Sequence, residues 1–213
     1  MKTESLGGFD RFRVPAALLV IAIHTGPLLS LNGEANYLLT DILARIAVPF
    51  FFSVSGWFLV PRLLREGRAA LIPFVKKLLL LYGAAALLYL PLNLYNHTLE
   101  ESGFALLRDV FFNGTFYHLW YFPALVLGAC LVYGLLRILG PRWAWLPALL
   151  LYAAGLLGDS YFGLTAALPP LRAGYEALFL LFDYTRNGLF FPPVFLLLGG
   201  WLALRPARRS AAW

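Results

Sequence analysis

Six apolar runs, each long enough to cross a bilayer, divide this chain and leave few other folds open to it. A helix spanning the hydrocarbon core needs about 20 residues, within a range of about 17–25. The runs fall at 14–31, 42–61, 72–94, 117–137, 142–158 and 187–204. In lipid every backbone N–H and C=O must find its partner inside the protein, and a helix achieves this within one segment. The chain is 61% hydrophobic and 13% charged, against about 45–50% and about 25% for soluble domains. The expected fold is an all-α, polytopic transmembrane helix bundle of six spans, one domain over residues 1–213. Pro49, Pro91, Pro123, Pro147, Pro192 and Pro193 lie inside or near these runs. Each frees a carbonyl that only a neighbouring helix can satisfy in lipid, which favours a packed bundle over independent spans.

Charge gives the orientation. With the N-terminus in the cytoplasm, the inner segments hold Lys2, Arg11, Arg13, Arg62, Arg65, Arg68, Lys76, Lys77, Arg137, Arg142, Arg205, Arg208 and Arg209. Only Arg45, Arg108, Arg172 and Arg186 remain outside. Cytoplasmic loops carry the basic excess, so both termini are expected in the cytoplasm and the chain in the cell's inner (plasma) membrane. The net charge of +6 is spent in these short loops, so a nucleic-acid surface is not expected. The basic lead and first apolar run look like a signal peptide, but no clean small-x-small site follows, and an uncleaved span is the expectation. Cys130 is the single cysteine, so no internal disulfide forms, and packing in its apolar run is its expected role. No CxxC, HExxH or His/Cys cluster is present, so no metal site is expected. Between 159 and 186 the Pro169-Pro170 pair leaves pieces too short to span, with 175–184 expected as an interfacial or re-entrant helix.

Within "FRVPAALLVIAIHTGPLL" (12–29) the apolar run is interrupted by His24. Intramembrane ionisable groups are costly and by default functional. Arg13 stands eleven residues earlier. Eleven helical steps return to within about 20° of the starting face and rise about 16 Å. One face of the first helix thus offers a cation at the inner mouth and a titratable base deep inside, a layout suited to an anionic donor arriving from the cytoplasm. Each residue also has a plainer account. Arg13 satisfies the positive-inside rule by itself and can pair with Asp10. His24 can serve as a hydrogen-bond donor to a neighbouring helix.

Arg and His at this spacing on a first span resemble the signature of the acyltransferase 3 family. "RIAVPFFFSVSGWFL" (45–59), "FYHLWYFPAL" (116–125) and "TRNGLFFPPVFLLLGG" (185–200) are similar to further family segments, in order. Most of residues 9–204 is covered. The branch it looks most like is the membrane part of vancomycin-resistance-type serine racemases. The resemblance implies transfer of an acyl group, usually acetyl, from cytoplasmic acyl-CoA to a hydroxyl of an extracytoplasmic acceptor such as an envelope glycan. His24 would be the catalytic base. Arg13, Lys76 and Lys77 would bind the donor, and His118 and Trp120 the acceptor.

Two features depart from the family pattern. Its third span usually opens with Arg-x-x-Arg; here "FVKKLLLLY" (74–82) carries adjacent lysines, which lack the bidentate fork of arginine. The family commonly has about ten spans, and six are read here. His118 and Trp120 also fit an interfacial aromatic belt. Ser53 and Ser55 beside Gly56 read as small residues for close helix contact. Glu176, Asp183 and Arg186 read as surface pairs. The rival functions are a transport or binding module for a small amino acid such as serine, and an inactive fragment of the family.

Overall fold

A computed structural model describes residues 7–97, 102–116 and 118–205, with side chains from residue 11 onward. Lys2, Asp10, Arg208 and Arg209 fall outside the described side chains. Every regular element is helical: α1 (Gly7–Thr25), α2 (Gly33–Tyr37), α3 (Ala47–Glu66), α4 (Arg68–Tyr95), α5 (Gly103–Arg108), α6 (Tyr121–Trp143), α7 (Trp145–Gly158), α8 (Phe162–Ala166), α9 (Pro169–Leu178) and α10 (Pro192–Leu204). No strand occurs among the described residues. Among the described residues, three helical stretches are long and apolar enough to cross a membrane: 33–66, which ends in α3, then α4 and α6. The described residues therefore form an all-helical bundle with helices long and apolar enough to cross a membrane.

The ends of the apolar runs are set by backbone chemistry rather than hydropathy. The first helix was expected to reach Leu31; it stops at Thr25. Gly26 takes φ 53°, a left-handed turn that suits glycine, and Pro27 has no N–H to continue the ladder. The chain then folds back. Asn32 caps α2 by accepting from the Ala35 N–H at 3.0 Å, and Asn36 Oδ1 accepts from the Leu28 N–H at 3.2 Å. The fifth and sixth runs form α7 and α10, of 14 and 13 residues. At about 1.5 Å per residue each is only about 20 Å long, short of the roughly 30 Å hydrocarbon core. In α6, Gly140 (φ 76°) and Pro141 bend the chain toward α7.

The core joins α3, α4, α6, α7 and α10 around Phe52, Val132 and Leu196, all fully buried. Its closest seam is α3 against α10. Gly56 lies on the Leu196 backbone, Gly199 on the carbonyl of Ser53, and Gly200 on Val60. Without water to drive association, helices in lipid gain contact by bringing backbones together at small residues. By contrast, much of α4 is outward-facing and apolar, as at Leu80, Leu87 and Leu88. Cys130, expected to be packed, is exposed on α6.

The 159–186 segment also differs from expectation. Its longest helix is α9, over 169–178 rather than 175–184. The two prolines occupy its first turn, where the missing N–H has no helical partner to lose. They begin the helix as well as ending what precedes it.

Candidate functional site

His24 stands one residue before the end of α1 and faces a cavity of about 590 Å³. Val20 and Ile23 from α1, Pro49 from α3, Trp120, Tyr152 from α7 and Phe191 form much of the wall. The polar groups are Tyr37, Asp41, Arg45, Asp159, Ser160, Thr185 and Arg186. Volume and lining fit a small-molecule site, a mainly apolar cleft with a few placed polar groups.

Two ion pairs border this cavity. Arg45 Nη2 lies 2.9 Å from Asp41 Oδ1, and Arg186 Nε lies 2.7 Å from Asp159 Oδ2. The first is an i,i+4 pair set by the π-helical turn Leu38–Leu43 and the tight turn after it. The second joins the end of α7 to the segment before α10. That segment is fixed by buried polar residues. Thr185 Oγ1 donates to the Gly155 carbonyl at 2.6 Å, Asn187 Nδ2 donates to Tyr184 O, and the Leu189 N–H donates to Asn187 Oδ1. With Thr185 and Asn187 buried and satisfied, the turn that holds Arg186 is well specified. The Arg186 guanidinium also lies 5.4 Å above the Tyr184 ring. Burial pushes the Tyr184 hydroxyl up to about 12, against the opposing pull of Arg186, so the phenol stays neutral there.

Neither pair was assigned to the site from sequence. Arg186 was read as a surface charge. Of the three residues so read, Glu176 does form an exposed pair, with Arg172 at 2.7 Å. Asp183 lies 3.4 Å from Arg108.

Trp120 lines the cavity with His24. Its indole packs near Phe52 and Tyr184, at 6.4 and 6.1 Å between centroids. His118 is close to His24, with ring centroids 5.7 Å apart, but it is not part of the cavity wall. The turn carrying His118 places its ring beside His24.

The expected donor residues lie on two helices, Arg13 on α1 and Lys76 and Lys77 on α4. Arg13 packs on α3, its guanidinium carbon 5.9 Å from the centre of the Phe58 ring. Lys76 and Lys77 are exposed on α4. α3 contacts both α1 and α4. Among the described residues, no group of three or more His, Cys, Asp or Glu is placed to hold a metal ion.

Comparison with known proteins agrees with the first-helix signature. The chain is 45% identical over 209 residues to an amino-acid racemase of Enterococcus faecalis, covering 97% of this chain and 29% of that protein. It is 43% identical over 213 residues to a serine/alanine racemase of Enterococcus gallinarum, covering 95% of this chain and 30% of that protein. The chain thus spans less than a third of the length of these curated relatives. No solved structure matches it. A family model described as an acyltransferase domain matches residues 6–213 and so takes in Arg13, His24, the His118–Trp120 stretch and the turn that holds Arg186. The chain belongs to the acyltransferase 3 family.

Proposed function

We propose that this protein is an integral membrane acyltransferase. It moves an acetyl group from cytoplasmic acetyl-CoA to a hydroxyl of an extracytoplasmic acceptor such as an envelope glycan. The observation that carries the reading is His24, a titratable ring at the end of an apolar helix, facing a cavity lined by Trp120 and polar groups. The imidazole takes the proton of the acceptor hydroxyl as the oxygen attacks the thioester carbonyl, a role suited to a base whose ordinary pKa is near 6.5. Arg13 meets the donor phosphates on the same helix, about 16 Å away along the axis. Lys76 and Lys77 add positive charge on the same side. Trp120 supplies a flat apolar face for the acceptor. A six-span arrangement in the plasma membrane, with both termini cytoplasmic and the bilayer thinned over the short α7 and α10, puts the arginine inside and the cavity outside.

Two tests follow. Purified protein should bind acetyl-CoA, and Arg13→Ala should weaken that binding and flatten its dependence on salt. Equal affinity in the two proteins would leave Arg13 with only its topogenic role. In a Cys130→Ala background, an impermeant maleimide should label Ser102→Cys in intact cells and not Arg65→Cys. Labelling at position 65 would overturn the arrangement.

A second reading draws on the ion pairs. Asp41–Arg45 and Asp159–Arg186 offer carboxylates and guanidiniums around one cavity. That charge balance suits a zwitterion, and the relatives are named as amino-acid and serine/alanine racemases. A module that binds or carries a small amino acid would use the same cavity without any acyl donor.

A further inference from the structure

The stretches 113–116 and 118–120 are tied down more firmly than a connecting turn requires. Tyr82 on α4 donates its hydroxyl to the Val110 carbonyl at 3.0 Å and accepts from the Thr115 N–H at 3.1 Å. Asn93, buried on the same helix, donates to the Thr115 carbonyl at 2.8 Å. Gly114, at φ 90°, lies against the Trp120 backbone where a Cβ would collide. The Leu119 N–H donates back to Phe116 O at 2.7 Å. These bonds sit in apolar surroundings, where polar groups are costly unless paired. Together they fix the position of His118.

The imidazole of His118 is also fixed in orientation. Tyr89 and Phe116 meet it nearly edge to face, at 4.7 and 4.9 Å between centroids and at 76° and 79° between planes. The His24 ring also lies beside it, at 5.7 Å and 51°. His24 lines the cavity and His118 does not.

We propose that His118 is a positioning residue for His24, an inference that rests on His24 acting as the base. The two ring edges share a hydrogen bond, directly or through one water. That bond sets which nitrogen of His24 carries its proton, leaving the cavity-facing nitrogen free to accept. In the reaction the acceptor O–H proton passes to that nitrogen as the new C–O bond forms. The C–S bond then breaks, and the proton passes from His24 to the departing CoA sulfur, regenerating neutral imidazole. His118 takes no net proton; it stabilises the His24 imidazolium while it lasts. The charged groups lining the cavity with His24 are Asp41, Arg45, Asp159 and Arg186, present as two pairs. A neutral second imidazole stabilises a transient cation there without adding fixed charge.

The test compares the full-length protein with His118→Phe and His118→Gln in lipid nanodiscs. Labelled acetyl-CoA is the donor and envelope polysaccharide the acceptor. His118→Phe should lower kcat by about tenfold or more while KM for either substrate stays within about twofold. His118→Gln, which keeps a donor and an acceptor, should recover much of that loss. A raised acceptor KM at normal kcat would make His118 a binding residue and overturn the proposal. Equal losses in both variants, with equally lowered thermal stability, would make it structural and also overturn it. A readout without turnover covers failure of the acyl-transfer reading itself. Histidine-selective ¹⁵N spectra should show a changed tautomer balance for His24 in His118→Phe. Unchanged His24 signals would refute the pairing even in an inactive protein, whereas changed signals without any acyl transfer would refute only the reaction it serves.

Discussion

His24→Gln is expected to lower acyl transfer by about 10² to 10⁴, the usual contribution of a general base. Stability should hardly change, since interhelical hydrogen bonds in membranes average only about 0.6 kcal/mol. Glutamine separates chemistry from structure here. Its amide both donates and accepts, but it takes no proton near neutral pH. A role as hydrogen-bond donor would therefore survive the change, and a role as base would not. The measurement is transfer of labelled acetyl at matched expression, with a thermal-stability control. Near-normal transfer by a stable variant would remove His24 as the base. Loss of transfer in proportion to loss of folded protein would make it structural.

The second large effect is expected at the α3–α10 seam. Gly199→Ala places a methyl group on the Ser53 carbonyl, and Gly56→Ala places one on the Leu196 backbone. Backbone atoms of two packed helices cannot swing aside as a side chain would. Each variant should lose about 1–3 kcal/mol, the usual cost of overpacking, measured by reversible unfolding in mixed micelles. Gly83→Ala on α4, where nothing lies within 4 Å of the new methyl, is the matched control and should be close to neutral. If the three variants behave alike, the two helices do not meet through their backbones. Because α10 follows directly from the turn that holds Arg186, loosening this seam should also disturb the cavity.

The contrast between His24 and the ion pairs explains what the sequence made legible. His24 stands out because a titratable ring in an apolar run has few structural reasons to be there. Its cavity partners carry no such mark. Asp41 and Arg45 are joined by an ordinary i,i+4 spacing that appears on any helix surface. Asp159 and Arg186 are 27 residues apart in sequence and meet only because α8, α9 and the prolines at 169 and 170 turn the chain back. Lys76 and Lys77 show the limit of charge pattern. Their position at the start of a span was legible, but charge pattern assigns a side of the membrane and not a neighbour.

The helix ends show a similar division. Hydropathy extended the first run to Leu31 because it averages side chains and ignores backbone. The stop at Thr25 was written in Gly26 and Pro27, which break a helix for reasons of φ and a missing donor. The same averaging set the fifth and sixth runs at 142–158 and 187–204, whereas α7 and α10 are 14 and 13 residues long. The small residues at Ser53, Ser55 and Gly56 were legible as a contact surface. Their partner, the Gly199–Gly200 pair, was placed only by the fold.

Whether this cavity receives an acyl group is best decided by one sided measurement. Inside-out membrane vesicles, with the cytoplasmic face exposed, are given acetyl-CoA labelled in the acetyl group, and envelope polysaccharide is enclosed in the lumen. Uptake of labelled serine is followed in parallel vesicles without acetyl-CoA. Acyl transfer predicts label on the enclosed polysaccharide, dependent on the protein and abolished in His24→Gln, with no protein-dependent serine uptake. Unlabelled polysaccharide together with serine uptake that needs no acetyl-CoA would contradict it and assign the cavity to an amino acid.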